Sequence, residues 1–169
     1  STYIYQVIKM YKRIFLVFLS FMLVFLCACS KENKFGVEQF VDRMNSQFEY
    51  SLNTADFILH IDENENNNLF CEIESSLITL SLDNNNDIKG ISLLATDSQD
   101  IPNTINFFCN MCCVFTGNDY DAQKSIFDSC QINTDIIKFA DNNTVITVGK
   151  YKYTIVCNNY SVTLFCDRV

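Results

Sequence analysis

Four features of this chain have the residue types and spacings that chemistry uses. The stretch "LCACSK" (Leu26 to Lys31) sets two cysteines one residue apart at the end of an apolar run. "CNMCC" supplies Cys109, Cys112 and Cys113. Two acidic, Asn-rich stretches, "DENENNN" from Asp62 and "DNNND" from Asp83, offer alternating side-chain oxygens. His60 is the only histidine. Thiols could do redox work or hold a soft metal, the oxygens could hold calcium, and the histidine could serve as the base of a nucleophile pair.

None of these patterns is complete. A redox C-x-x-C lowers the pKa of its attacking thiol at a helix N-terminus, whereas here the helical pattern begins near Pro102 and Cys109 falls about two turns inside it. Zinc takes four ligands, and a second C-x-x-C or a His pair is missing. Ile105, Phe108, Cys109, Cys112 and Phe115 share a helical face, and a free cysteine behaves as a small hydrophobe, so core filling is the expected role. A metal or redox site at Cys109, Cys112 and Cys113, or a disulfide partner there, is the alternative. His60 falls in a strand pattern on the side opposite Phe57, Leu59 and Ile61, where a solvated histidine is expected. From Asp62 the spacing of Asp62, Asn64 and Asn66 imitates an EF-hand. However, Asn67 replaces its glycine and Ile73 its final glutamate, and Ile88 and Leu94 break the Asp83 stretch at the same places. Hairpin loops are expected instead. Four scattered glycines make no phosphate loop. No catalytic set, resident metal or cofactor is expected.

The leader is more specific. "YKRIFLVFLSFMLVFLCACS" has a basic start at Lys12 and Arg13 and an apolar run from Ile14 to Leu26 that only Ser20 interrupts. Thirteen residues span about 20 Å as a helix, short of the roughly 30 Å hydrocarbon core, which fits a signal peptide. Its end, Leu26-Cys27-Ala28-Cys29, resembles the lipobox of bacterial lipoproteins: a branched apolar residue, two small residues and a cysteine. The match favours Cys29, preceded by Ala28, over Cys27, preceded by Leu26. The resemblance implies that the Cys29 thiol carries diacylglycerol and that the chain is cut just before it. The product would be held at the extracytoplasmic face of the cell membrane. At about 0.8 kcal/mol per buried methylene, one acyl chain binds reversibly and two hold durably. The expected organisation is a signal peptide over 1–28 (with 1–9, ahead of Met10, as upstream read-through), a lipidated tether over 29–35 and a single domain over 36–169.

Charge narrows the partners. Three of the 12 Lys and Arg residues and none of the 20 acids precede Cys29, leaving a net −11 after residue 28. Such a domain is a poor candidate for gripping phosphate backbones or anionic headgroups, so no nucleic-acid partner is expected. Seven cysteines follow Cys29, at 71, 109, 112, 113, 130, 157 and 166. An odd number cannot all pair internally, and an exported chain with so many free thiols points to a reducing habitat.

The elements that must position these residues alternate between two periods. "GVEQFVDRMNSQFEY" places Val37, Phe40, Val41, Met44 and Phe48 on one helical face. Strands are expected at Phe57–Ile61, Leu69–Ile73, Leu77–Leu82 and Ile88–Thr96, with Ile78, Leu80 and Leu82 on one side of the third. A helix follows from Asp100 to about Thr116, stopped by Gly117. A second is capped by Asp119 and packs through Ala122, Ile126, Phe127 and Cys130. Strands return at Ile136–Phe139 and Thr144–Val148. A last hairpin turning at Asn158-Asn159 pairs Cys157 with Tyr160, Ile155 with Val162, Tyr153 with Leu164 and Tyr151 with Cys166. This arrangement sets Cys157 and Cys166 about 20 Å apart, at 3.3 Å per residue.

The expected class is α+β: an antiparallel sheet of about five to seven strands in two meanders, with an N-terminal helix and a central helix pair packed on one face. The expected function is a non-enzymatic binding or accessory module anchored to the membrane through Cys29. Its candidate surface is the outer sheet face at Lys152, Thr154, Val156, Thr163 and Phe165. The alternative is a small thiol-redox or metal-binding lipoprotein using Cys109 and Cys112.

Overall fold

The computed structural model describes residues 34–96, 101–130, 132, 143–158 and 161–169. The chain divides into two units, Ser1–Lys34 and Phe35–Val169. Cys27, Cys29 and the rest of the leader lie outside the described residues, as does the strand expected at Ile136–Phe139. Among the described residues no helix is long and apolar enough to cross a membrane.

The second unit is an α+β fold. Helix α1 (Val37–Phe48) leads through a short 3-10 turn (Thr54–Asp56) into β1 (Ile58–Ile61), β2 (Asn67–Ile73), β3 (Ser76–Leu82) and β4 (Ile88–Ala95). Helices α2 (Ile101–Thr116) and α3 (Tyr120–Ser129) follow, then β5 (Asn143–Val148), β6 (Tyr151–Cys157) and β7 (Val162–Arg168). The described strands form one seven-stranded sheet, β1-β2-β3-β4-β7-β6-β5. Every neighbouring pair is antiparallel, so two meanders meet where β4 pairs with β7.

The period-2 pattern sorts the two faces. Along one inner row Cys71, Ile78, Leu93, Leu164 and Ile155 lie side by side on successive strands, and all are buried. A parallel row runs Leu80, Ile91, Cys166 and Tyr153. The helices cover this face. Phe127 of α3 meets Tyr153 edge-on at 6.0 Å, Phe115 of α2 meets Tyr151 at 5.5 Å, and Phe40 of α1 meets Phe57 at 6.5 Å. Phe40, Val41 and Met44 of α1 are buried as its periodicity predicts. Each large side chain buried in this way contributes about 1.5–3 kcal/mol.

Three local expectations need correction. The last hairpin pairs Cys157 with Val162, Ile155 with Leu164, Tyr153 with Cys166 and Tyr151 with Arg168. The Asn158 N–H donates to the Ser161 carbonyl (3.0 Å), and Asn158 Oδ1 accepts from the Ser161 N–H (2.8 Å), so the turn sits one residue later than the sequence suggests. Each partner moves by two positions, and because the side-chain period is also two, no residue changes face. Cys157 and Cys166 are then offset by four residues, about 13 Å along the strands, still too far to bridge.

Helix α3 buries Phe127 and Cys130 and half-buries Ile126 as expected, but Ala122 is exposed and Gln123 takes its place on the buried face. Helix α2, read as burying one face, is buried at every position from Phe108 to Phe115, because it packs between α1, α3 and β4. Its stop is as read: Gly117 takes a positive φ of 79°, open to glycine without strain. Asp119 caps α3 by accepting from the Ala122 N–H at 2.8 Å.

Candidate functional site

The thiols of "CNMCC" point in different directions. At 100° per residue Cys112 and Cys113 are splayed, with Cys109 between them. Cys109 and Cys113 share a sulfur hydrogen bond that pushes the Cys109 thiol up, with burial adding to it, and holds Cys113 down against the effect of burial. Cys112, fully buried, faces Cys166 of the sheet, and desolvation pushes its thiol well up. All seven described cysteines are free and buried. Among the described residues no three His, Cys, Asp or Glu side chains are grouped to hold a metal ion. Cys109, Cys112 and Cys113 are all buried inside a packed helix, and the first two have their thiols pushed up, so the geometry favours the core-filling role.

His60 is exposed and stands edge-on to Phe70 at 5.7 Å. The two acidic stretches close hairpins, and they do so identically. Asp62 Oδ1 accepts from the N–H groups of Asn64 (2.8 Å) and Asn66 (2.9 Å). Asp83 Oδ1 accepts from Asn85 (2.8 Å) and Asp87 (2.9 Å). In each the fourth residue, Glu65 or Asn86, is left-handed at φ 62°, the pattern of a type I turn closed by an αL residue. The carboxylate is spent on the turn, and the Asn66 side chain and backbone hold the Asp62 pKa below its ordinary value.

The outer-face residues Lys152, Thr154, Val156, Thr163 and Phe165 are each half-buried, flanked by one another and by Ser92 across the strands.

Concavity lies elsewhere. A cleft of about 520 Å³ opens between the loop after α1, the β2–β3 hairpin and the first turns of α2, within the range of small-ligand sites. Asn45 fixes one wall like a borrowed strand: its Nδ2 donates to the Leu52 carbonyl and its Oδ1 accepts from the Leu52 N–H, both at 2.8 Å. Tyr50 meets Phe107 edge-on at 4.8 Å and accepts a hydrogen bond from Asn110 Nδ2 at 3.1 Å. The sheet contributes Cys71, Ile73 and Leu93, α2 contributes Asn103 and Asn106, and the rim carries the acidic residues Asp56 and Glu74, while Glu72, alternating with Cys71 and Ile73, turns its side chain to the other face of the sheet. Among the described residues no Lys or Arg lines it. Burial first, then the charge of Asp56, pushes the Cys71 thiol up, which keeps it a neutral wall atom. A second groove, of about 450 Å³ beside α1 and α2, sets Arg43 against Asp119 and has no such bias.

The cleft can therefore accept N–H donors from a cationic group on its rim and cover the apolar part of the same ligand with Tyr50, Phe107 and Ile73. Glu74 occupies the β2–β3 turn at φ 53°, a left-handed conformation that costs a non-glycine residue about 1 kcal/mol. The turn thus presents a carboxylate where glycine would be easier.

Sequence reasoning missed this site, although one signal was present. From Met44 to Ile88 the chain has nine acids and neither Lys nor Arg, and that run builds β1, β2, β3 and two cleft walls. Scans of the chain against protein-family models, the curated proteins and the solved structures return no match.

Proposed function

We propose that this chain is a lipid-anchored, extracytoplasmic binding module that takes a cationic ligand in the acidic cleft. The observation that carries the reading is the cleft itself: the rim acids Asp56 and Glu74, an aromatic wall and, among the described residues, no Lys or Arg. The lipobox at Cys29 supports the address. Residues 30–34 would hold the domain within roughly 20 Å of the bilayer at full extension, close enough to act on other surface components. The acidity of the domain keeps it off anionic headgroups.

Two experiments test the two halves separately. The mass of the chain purified from its membrane is expected to show diacylglycerol on the Cys29 sulfur and loss of residues 1–28. A bare thiol with the leader attached would remove the anchor. For the cleft, the probe is lysine capped as its N-acetyl methylamide, compared with norleucine capped the same way. At about 0.3 kcal/mol per heavy atom the lysine probe binds near 1 mM. It shifts the backbone amides of Asn103, Asn106 and Glu74, and the norleucine probe does not. Equal shifts from both probes would sink the cationic reading.

A further inference from the structure

Three of the six large apolar side chains exposed among the described residues sit on one four-residue strand, β1: Ile58 (71 % exposed), Leu59 (56 %) and Ile61 (57 %). This strand is an end of the sheet. Its hydrogen-bond phase follows from the hairpin: the Asp62 N–H donates to the Asn66 carbonyl at 3.1 Å. Antiparallel pairs alternate, so Ile58 and His60 turn their backbone groups to β2, and Leu59 and Ile61 turn theirs to the open edge. Edge strands are ordinarily guarded by Lys, Pro, a bulge or a covering element. Between Phe57 and Ile61 there is neither Lys nor Pro, and the pairing with β2 runs without a register shift.

Charge decides the occupant. Asp56, Asp62, Glu63 and Glu65 flank β1, and no Lys or Arg occurs between Arg43 and Lys89. A second copy pairing on this edge would lay these four carboxylates beside the same four of its partner, which opposes self-association.

We infer that β1 is a docking strand for an extended basic segment of another protein. The segment adds to the sheet by backbone pairing with Leu59 and Ile61, sets apolar side chains beside Leu59 and Ile61 on one face and Ile58 on the other, and places lysine or arginine flanks against the four carboxylates. In this mode main-chain bonds supply affinity and alternate side chains supply selectivity. The inference rests on the edge and its flanks, of which only Asp56 is shared with the cleft, and it stands whether or not the cleft binds a small cation.

The test uses the full chain in neutral detergent and a synthetic nonapeptide probe, Val-Thr-Val-Thr-Val flanked by two lysines on each side. Two companion peptides replace the lysines with glutamates or methylate the central backbone nitrogens that face β1. The lysine peptide is expected to bind and to slow hydrogen exchange at the Leu59 and Ile61 amides but not at Ile58 and His60. The glutamate peptide and the methylated peptide are each expected to bind roughly tenfold more weakly or worse. Ile61→Pro removes an edge donor that β2 does not use, so the chain keeps its circular dichroism spectrum while peptide affinity falls. Because the methylated peptide leaves the protein unchanged, the test survives any misfolding of that variant. The inference is overturned if lysine and glutamate peptides bind alike or if backbone methylation has no effect. It is also overturned if the free chain sediments as a dimer with both edge amides already protected, which would give the edge to a second copy.

Discussion

At the scale of single residues, burial rather than residue type decides what the chemistry-bearing side chains do. Cys112 has the spacing of a redox motif yet is fully buried against Cys166. Thiol alkylation of the folded chain at neutral pH should therefore label Cys109, Cys112 and Cys113 roughly a hundredfold more slowly than in denaturant, by mass spectrometry. Rapid labelling of Cys109 would revive the redox alternative. Gln123 shows the converse. It is polar and fully buried, donating to the Tyr153 hydroxyl at 3.1 Å and accepting from Thr116 Oγ1 (3.2 Å) and Asn118 Nδ2 (3.1 Å). An unpaired Tyr153 hydroxyl would cost about 1–3 kcal/mol, which accounts for a glutamine at the centre of the α3 face. The sequence showed the cysteines as core, because cysteine counts as apolar in a helical pattern. It hid Gln123, because only three-dimensional pairing makes a buried amide affordable.

Asp167 gives a pH prediction at the same scale. Burial raises its pKa above the ordinary 3.8, with Lys152 and Lys89 partly offsetting that effect. A carboxyl raised in the folded state binds its proton more tightly there than in the unfolded chain. Its contribution to stability is whole below pH 3.8 and is lost as pH rises through the folded value. Asp167→Asn should therefore gain stability relative to the parent between pH 3 and pH 7 in parallel urea titrations; a gap that shrinks over that window would contradict the assignment.

At the scale of elements, periodicity carried most of the fold. Helix α1, strands β2 to β4 and the Asp119 cap lie where apolar spacing and turn residues place them. The β6–β7 register was not legible. Asn158-Asn159 looks like a two-residue turn, and moving the turn by one residue preserves every face, so the pattern could not choose. The Asn158 side-chain bonds to Ser161 choose instead. The β2–β3 turn yields the next prediction. Glu74→Gly should relieve the left-handed strain and stabilise the domain by about 0.5–1 kcal/mol, raising the melting temperature by a few degrees, while weakening the cationic probe. A variant both less stable and equally able to bind would remove Glu74 from the site.

At the scale of the whole molecule, the distribution of charge matters more than its sum. The net −11 after residue 28 is visible in composition, but its concentration at one end of the sheet appears only once β1, β2 and β3 are placed together at that end. The cleft was illegible for the same reason: its walls come from segments some fifty residues apart, Tyr50 and Leu52 on one side and Asn103 to Phe107 on the other. The most direct measurement compares the capped-lysine affinity of two doubly neutralised chains by calorimetry. Asp56→Asn with Glu74→Gln removes two cleft carboxylates; Glu38→Gln with Asp42→Asn removes two exposed ones from α1. The account predicts that the cleft pair loses affinity about tenfold or more, roughly 1.4 kcal/mol, and that the helix pair stays within twofold of the parent. Equal losses from both pairs would mean that overall charge, and no particular site, holds the cation.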